Sequence, residues 1–316
     1  MMRAAAPRAT DPGADRGLHL IEAINRLGIT TRLLDLGFAA VAHLHPRAAD
    51  AIALGIADAI YALWSGLRFR AEANLAWVVG PERAPVAARS SVRNYVRYVV
   101  DFLRFHRWSN EELHHRSTVI GVEHLHNAMA LGRGVIAIGF HLGNIDLGAT
   151  LLGQQGYAVH VVVEPFQPPA LDELIQGQRR RRKLNLIPLE RAARESLRVL
   201  RQRAILALLV DRPVPGDGVP VRFFGGTVFL PAGAARLALR TGAPIVPCCA
   251  FRTRPGAYTA ELAEPILPEH YAGAADPVQA VTQAMVETLE RWVRRMPSQW
   301  YPFRAMFQES DAAHTP

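Results

Sequence analysis

Apolar positions along this chain change period near residue 118. Before that point they recur at helical spacing: Ile52, Ile56, Ile60 and Leu63 follow one another every three or four residues, with Asp50 and Asp58 set into the run. Between residues 88 and 107, Val92, Tyr95, Val96, Val99, Phe102 and Leu103 line one side of a helix. Arg89, Arg93 and Arg97 mark another side at i, i+4 spacing, the pattern of an amphipathic basic helix. Such a face serves either as a solvated surface over a core stripe or as a contact for anionic lipid. No strand is expected from 17 to 108.

Beyond residue 118 short apolar runs alternate with helical stretches. Strands are expected at 135–140, 157–164, 185–189, 204–210, 219–224, 244–252 and 257–263, and helices near 121–132, 144–154, 169–182, 191–202, 231–241 and 276–296. This alternation predicts an α/β fold: a mixed central sheet flanked by helices, preceded by an N-terminal helical region. The organisation read from it is a disordered leader over 1–16, a helical region over 17–118 that packs on the core and faces the membrane, and an α/β core over 119–310.

The chemistry concentrates where the strand Val135 to Phe140 ends in His141-Leu142-Gly143-Asn144-Ile145-Asp146. Asn144 suits the N-cap of the following helix, which puts Asp146 in its first turn, where negative charge is favoured. His141 at a strand end and Asp146 at a helix start form a candidate base and orienting carboxylate: the acid fixes one ring nitrogen and leaves the other to take a hydroxyl proton. Carboxyl ends of strands are also where α/β folds place their ligands. Backbone amides around Gly143 and Asn144, or an arginine, are candidate oxyanion donors. Asp211 repeats the strand-end placement after the apolar run Ala204 to Val210, and the turn-rich 213–218 segment is expected to border the same cleft. Pro231 suits the first turn of a helix, with Ala232 and Gly233 small enough to admit a substrate chain.

Charge narrows the partners. The 316 residues carry 36 basic against 28 acidic side chains, a formal +8, and Lys183 is the sole lysine. Arginine forks suit phosphate and carboxylate, so an anionic membrane, coenzyme A or an acidic carrier protein fit. No zinc-finger spacing, aromatic RNA-binding motif or helix-turn-helix points to nucleic acid. No apolar run reaches the ~18–20 residues of a spanning helix. No glycine-rich phosphate loop calls for NAD or ATP, so no cofactor is expected. His43 and His45, His114 and His115, and His124 and His126 lack a third ligand, so no metal is expected. Cys248 and Cys249, adjacent in an apolar strand, read as core thiols, and the closing segment around Trp300 as an aromatic plug.

The segment Phe140-His141-Leu142-Gly143-Asn144-Ile145-Asp146 resembles the signature of the lysophospholipid acyltransferase superfamily. Within it the chain is similar to the branch of bacterial lipid A lauroyl/myristoyl acyltransferases and phosphatidylinositol mannoside acyltransferases. Leu208 to Pro213, Gly218 to Gly225, Pro231-Ala232-Gly233 and Leu239 to Pro247 follow that branch's order, and the likeness spans roughly 85–305. It implies an O-acyltransferase acting by His141 and Asp146, with acyl-CoA or acyl-carrier protein as co-substrate and a membrane glycolipid as acceptor. It also implies peripheral attachment at the cytoplasmic face of the bacterial plasma membrane. Gly143, Asn144, Asp211, Pro231 and Gly233 then line the substrate side, and Glu164 and Arg179 match the paired residues of the acceptor side. Where the wider superfamily has an acidic Pro-Glu-Gly element, this chain has Pro231-Ala232-Gly233. A catalytically silent lipid-binding protein of the same fold is the alternative; a hydrolase would need a G-x-S-x-G elbow, and none occurs.

Overall fold

Among the described residues four α-helices precede the first strand. The computed structural model describes residues 44–212 and 218–307. The expected leader over 1–16, the helical reading of 17–43 and most of the 213–218 loop lie outside the described residues. Helices α1 (Pro46–Leu63) and α2 (Ser65–Val79) meet at 93°, and α3 (Ala84–Arg104) packs against both. The acids that interrupt the apolar run of α1 are the partners of the α3 arginines. Asp58 accepts from Arg89 and Arg93, and Asp50 from Arg97 and Arg252. The α3 arginines therefore hold α1 against α3, while Arg89 and Arg93 stay 50% and 34% exposed and keep part of the solvated face. Those two arginines keep the Asp58 carboxyl well below its usual range.

The remaining chain alternates strand and helix: α4 (Asn110–Arg116), β1 (Ser117–Ile120), α5 (Val122–Ala130), β2 (Val135–Gly139), α6 (Ile145–Gln154), β3 (Val159–Val163) and α7 (Pro169–Arg181) come first. Then follow β4 (Asn185–Pro188), α8 (Ala192–Arg201), β5 (Ile205–Leu209), β6 (Gly218–Phe223), β7 (Gly226–Pro231) and α9 (Gly233–Thr241). Last come β8 (Ile245–Arg254), β9 (Ala257–Leu262) and α10 (Pro277–Arg295). Seven strands form one mixed sheet, ordered β1-β9-β8-β2-β5-β3-β4, with β8 and β9 antiparallel and the other pairs parallel. The central strand β2 is buried on both faces, which is why its sequence is continuously apolar. Ile136 and Ile138 face a core shared with α8, α9 and α10, and Val135 and Ala137 face α5 and α6.

Two strands escape the sequence reading. β1 is four residues long and pairs only with β9, so no periodicity announces it. β7 pairs with β6 in a separate hairpin closed by Phe224 and Gly225, both at positive φ, the geometry of a two-residue primed turn. α10 covers this hairpin with side chains: Gln283 accepts from the Arg222 amide and Glu290 from the Phe224 amide. Pro231 consequently ends β7, paired with Gly218, and does not open a helix; α9 starts two residues later, after Ala232.

Candidate active site

β2 and β5 run side by side and parallel, in a register that sets Gly139 against Leu209. Two residues further along each strand stand His141 and Asp211, which therefore reach the carboxyl edge of the sheet in step. The His141 Nδ1 lies 2.7 Å from Asp211 Oδ1, and the His141 amide donates to Oδ2 at 2.8 Å. Trp300 donates its indole N–H to the same Oδ2 at 3.3 Å. A carboxylate only accepts, so Nδ1 carries the imidazole proton and Nε2 is the basic nitrogen. Burial pushes the Asp211 carboxyl up, but the imidazole and these donated bonds outweigh it and hold the group below its ordinary value.

The turn after His141 is fixed from several directions. Gly143 has φ +66°, and a Cβ there would stand 2.0 Å from the Ala250 carbonyl oxygen, so only glycine fits. The Gly143 amide donates to Gln299 O and the Asn144 amide to Ala250 O, both at 2.7 Å, while the His141 carbonyl accepts from the Tyr301 amide at 2.9 Å. Both amides expected as oxyanion donors are thus already bonded within the fold. Asn144 caps α6 through its side chain, accepting from the Leu147 amide at 3.0 Å, and Asp146 occupies the first turn as the sequence predicts.

Asp146 does not orient His141. α6 packs on a face of the sheet against β3 and β8, and its first turn aims the carboxylate at α7 and α3. Arg179 Nε donates to Asp146 Oδ1 at 2.7 Å and Nη2 to Oδ2 at 3.4 Å, while the Tyr98 hydroxyl donates to Oδ2 at 2.5 Å. Arg179 and Asp146 are both nearly buried, and burial keeps the Tyr98 phenol protonated far above its usual value, so it remains a donor. The pairing expected between Glu164 and Arg179 is absent for the same reason. Glu164 is half exposed at the end of β3, 3.6 Å from Arg212 and 4.0 Å from Arg304. Pro231 and Gly233 line no wall of the cavity between α6 and the sheet, and Gly233 has open space around it. Tyr98 was not legible as a site residue. Trp300 is buried like the expected plug, but its indole N–H also anchors Asp211.

A cavity of about 100 Å³ lies between α6 and the sheet; Phe140 and Leu209, one and two residues before the dyad members, line it, and His141 and Asp211 themselves do not. Its cause is a set of small side chains facing one another. Ala137 and Gly139 on β2, Ala207 on β5 and Ala250 on β8 form the floor, under Gly148 and Ala149 of α6. Ala137 and Ala207 are direct neighbours in register, so the gap is continuous across two strands. The lining is apolar except where Asp146 and Arg179 stand at one end. Cys248 also lines it, with its thiol pushed up to about 12 by burial, so neither it nor the similarly shifted Cys249 supplies a thiolate. Among the described residues no cluster of three or more potential metal ligands occurs.

A family described as bacterial lipid A biosynthesis acyltransferase matches residues 18–309. The chain belongs to that family. It is an O-acyltransferase of the lysophospholipid acyltransferase superfamily. Phosphatidylinositol mannoside acyltransferase of Mycolicibacterium smegmatis is 30% identical over 285 residues, which is 87% of this chain and 92% of that one. The protein of the same name from Mycobacterium tuberculosis is 28% identical over 238 residues, 72% and 73% of the two chains. A solved 1-acyl-sn-glycerophosphate acyltransferase from Thermotoga maritima aligns with 81% of the chain at 16% identity and a TM-score of 0.38, a likeness too distant to argue from.

Proposed function

We propose that this acyltransferase moves a fatty acyl group from a thioester, acyl-CoA or acyl-carrier protein, to a hydroxyl of a membrane glycolipid of the phosphatidylinositol mannoside type. The observation that carries the reading is His141 held by Asp211 through Nδ1, with Nε2 as the basic nitrogen, at the end of a strand whose Ala137, Gly139 and Phe140 line a mostly apolar cavity. In the step itself His141 Nε2 takes the acceptor hydroxyl proton as the oxygen attacks the thioester carbonyl. The C–S bond then breaks, and the departing thiolate takes that proton back from Nε2, leaving an ester and a free thiol. Asp211 stabilises the transient imidazolium and holds the ring in one tautomer. The mannoside acceptor is favoured over a lipid A precursor by the names of the two mycobacterial relatives.

The test is a transfer assay with the purified chain, a long-chain acyl-CoA and a phosphatidylinositol mannoside dispersed in vesicles. Mass spectrometry should show one added acyl chain on the acceptor, at a rate well above that seen on a lipid A precursor. Free fatty acid as the sole product would overturn the acceptor assignment.

Membrane attachment belongs to the same reading. Among the described residues no single helix is long and apolar enough to cross a bilayer. Apolar side chains instead gather at the corner where α1, α2 and the start of α3 meet, which the bond from Tyr61 to the Pro85 carbonyl draws together. Leu63 is 85%, Trp64 58%, Phe69 70% and Val86 72% exposed. Arg68 and Arg83 lie within a few residues of them in sequence. An apolar tip with basic flanks suits the interface of an anionic leaflet. In vesicle flotation the chain should bind anionic liposomes, release partly in high salt, and lose most binding when Trp64 and Phe69 are both replaced by serine. Binding unchanged in that double variant would place the contact elsewhere.

A further inference from the structure

The cavity between α6 and the sheet does not end in solid core. A second crevice, of about 10 Å³, begins where the first stops and is lined by Val119, Val122, Leu125, Ala260 and Leu262 of the neighbouring elements. The two share a wall: Gly148 and Leu152 from α6, and Cys248 and Cys249 from β8, line both. The first space has room for part of a chain, whereas the second holds little more than one water-sized sphere. The wall is therefore the place where the apolar space that runs along α6 from Asp146 and Arg179 closes.

The wall is made of unequal parts. Gly148 has no side chain, and a Cβ built there would meet Ala250 Cβ at 3.5 Å, ordinary contact, so the helix accepts an alanine and a longer side chain must extend into the free space. Leu152 stands one helical turn further along α6, is buried, and belongs to the hydrophobic cluster that separates the cavity from α5. The Cys248 thiol is committed to the Ile138 carbonyl, 3.3 Å away, and so keeps its place on the strand side. One position is thus open to filling and one to emptying, and neither touches His141 or Asp211 through any hydrogen bond.

We propose that Gly148 and Leu152 set the length of acyl chain this enzyme accepts, Gly148 by leaving the passage open and Leu152 by closing its end. The inference rests on the reading of the cavity as the acyl site. Each methylene that finds no place forfeits its burial, which converts to roughly fourfold in kcat/KM per methylene. A side chain at position 148 that displaces three methylenes should then cost on the order of 50-fold with the longest well-used donor, and almost nothing with a donor already shorter than the cavity.

The experiment measures kcat/KM for saturated acyl-CoA donors from eight to eighteen carbons, with the parent chain, Gly148→Leu and Leu152→Ala. Gly148→Leu should move the optimum to shorter donors while short-donor rates stay near parental. Leu152→Ala, which joins the two crevices, should move it to longer ones. The two opposite shifts distinguish a length-setting wall from general damage, and Leu152→Ala keeps the test intact if the glycine variant folds poorly. An unchanged optimum in a folded, active variant, or an equal loss at every length, overturns the proposal. If instead the parent transfers no acyl group from any donor, it is the reading of the function that fails.

Discussion

Replacing His141 with alanine should lower acyl transfer by a factor on the order of 10²–10⁴, the contribution of a positioned general base. The structure gives this loss its specific cause. His141 Nε2 is the one basic nitrogen that the Asp211 contact presents at the carboxyl edge of β2, while Cys248 and Cys249 stay protonated and cannot substitute. The fold should survive, because Asp211 would keep two of its three donors: the backbone amide of residue 141 and the Trp300 indole. A stability loss of about 1–3 kcal/mol is expected for the missing third bond. Thermal melting alongside steady-state kinetics checks both halves. Transfer above a tenth of the parental rate in the folded variant would remove His141 from the chemistry.

Arg179→Ala should be the most destabilising single change at the site, and by a different route. Arg179 and Asp146 form a nearly buried pair that also receives the Tyr98 hydroxyl, tying α7, α6 and α3 at one point. Removing the guanidinium strands a buried carboxylate, at a cost of about 3–5 kcal/mol, a large part of the stability of a domain this size. The melting temperature should fall by roughly 10 °C. Replacing both partners together, Arg179→Met with Asp146→Leu, should recover much of that loss, since the stranded charge is then gone. A melting temperature within 2 °C of the parent for Arg179→Ala would show that the clamp contributes little.

These two results separate roles that the sequence merges. Within His141-x4-Asp146 every local feature was readable: the buried strand, the Asn144 cap and the placement of Asp146 in the first turn of α6 all stand as expected. Most helices and strands after residue 118 were readable too, β1 and β7 being the exceptions, because period-2 and period-3.6 patterns are local properties. What spacing cannot convey is lateral register. His141 and Asp211 are 70 positions apart, and only the parallel pairing of β2 with β5 makes them neighbours. A signal existed, since both stand immediately beyond apolar strands, but nothing in one sequence states which strands adjoin. Tyr98 and Trp300 reach the site from α3 and the closing segment through contacts equally remote in sequence. The hairpin strand β7 was hidden for another reason: its turn uses Phe224 at positive φ, a residue that does not advertise a primed turn.

The central claim is that Asp211, and not Asp146, orients the base. Its most direct measurement is kcat for Asp211→Asn and Asp146→Asn, side by side, under saturating donor and acceptor. An amide at position 211 can donate to Nδ1 and so favour the tautomer with the proton on Nε2, which disables the base. kcat should fall on the order of 10²–10⁴ with little change in KM. At position 146 the amide should lower the melting temperature but leave kcat within tenfold of the parent. The reverse outcome, near-normal turnover in folded Asp211→Asn and collapse in Asp146→Asn, would contradict the account.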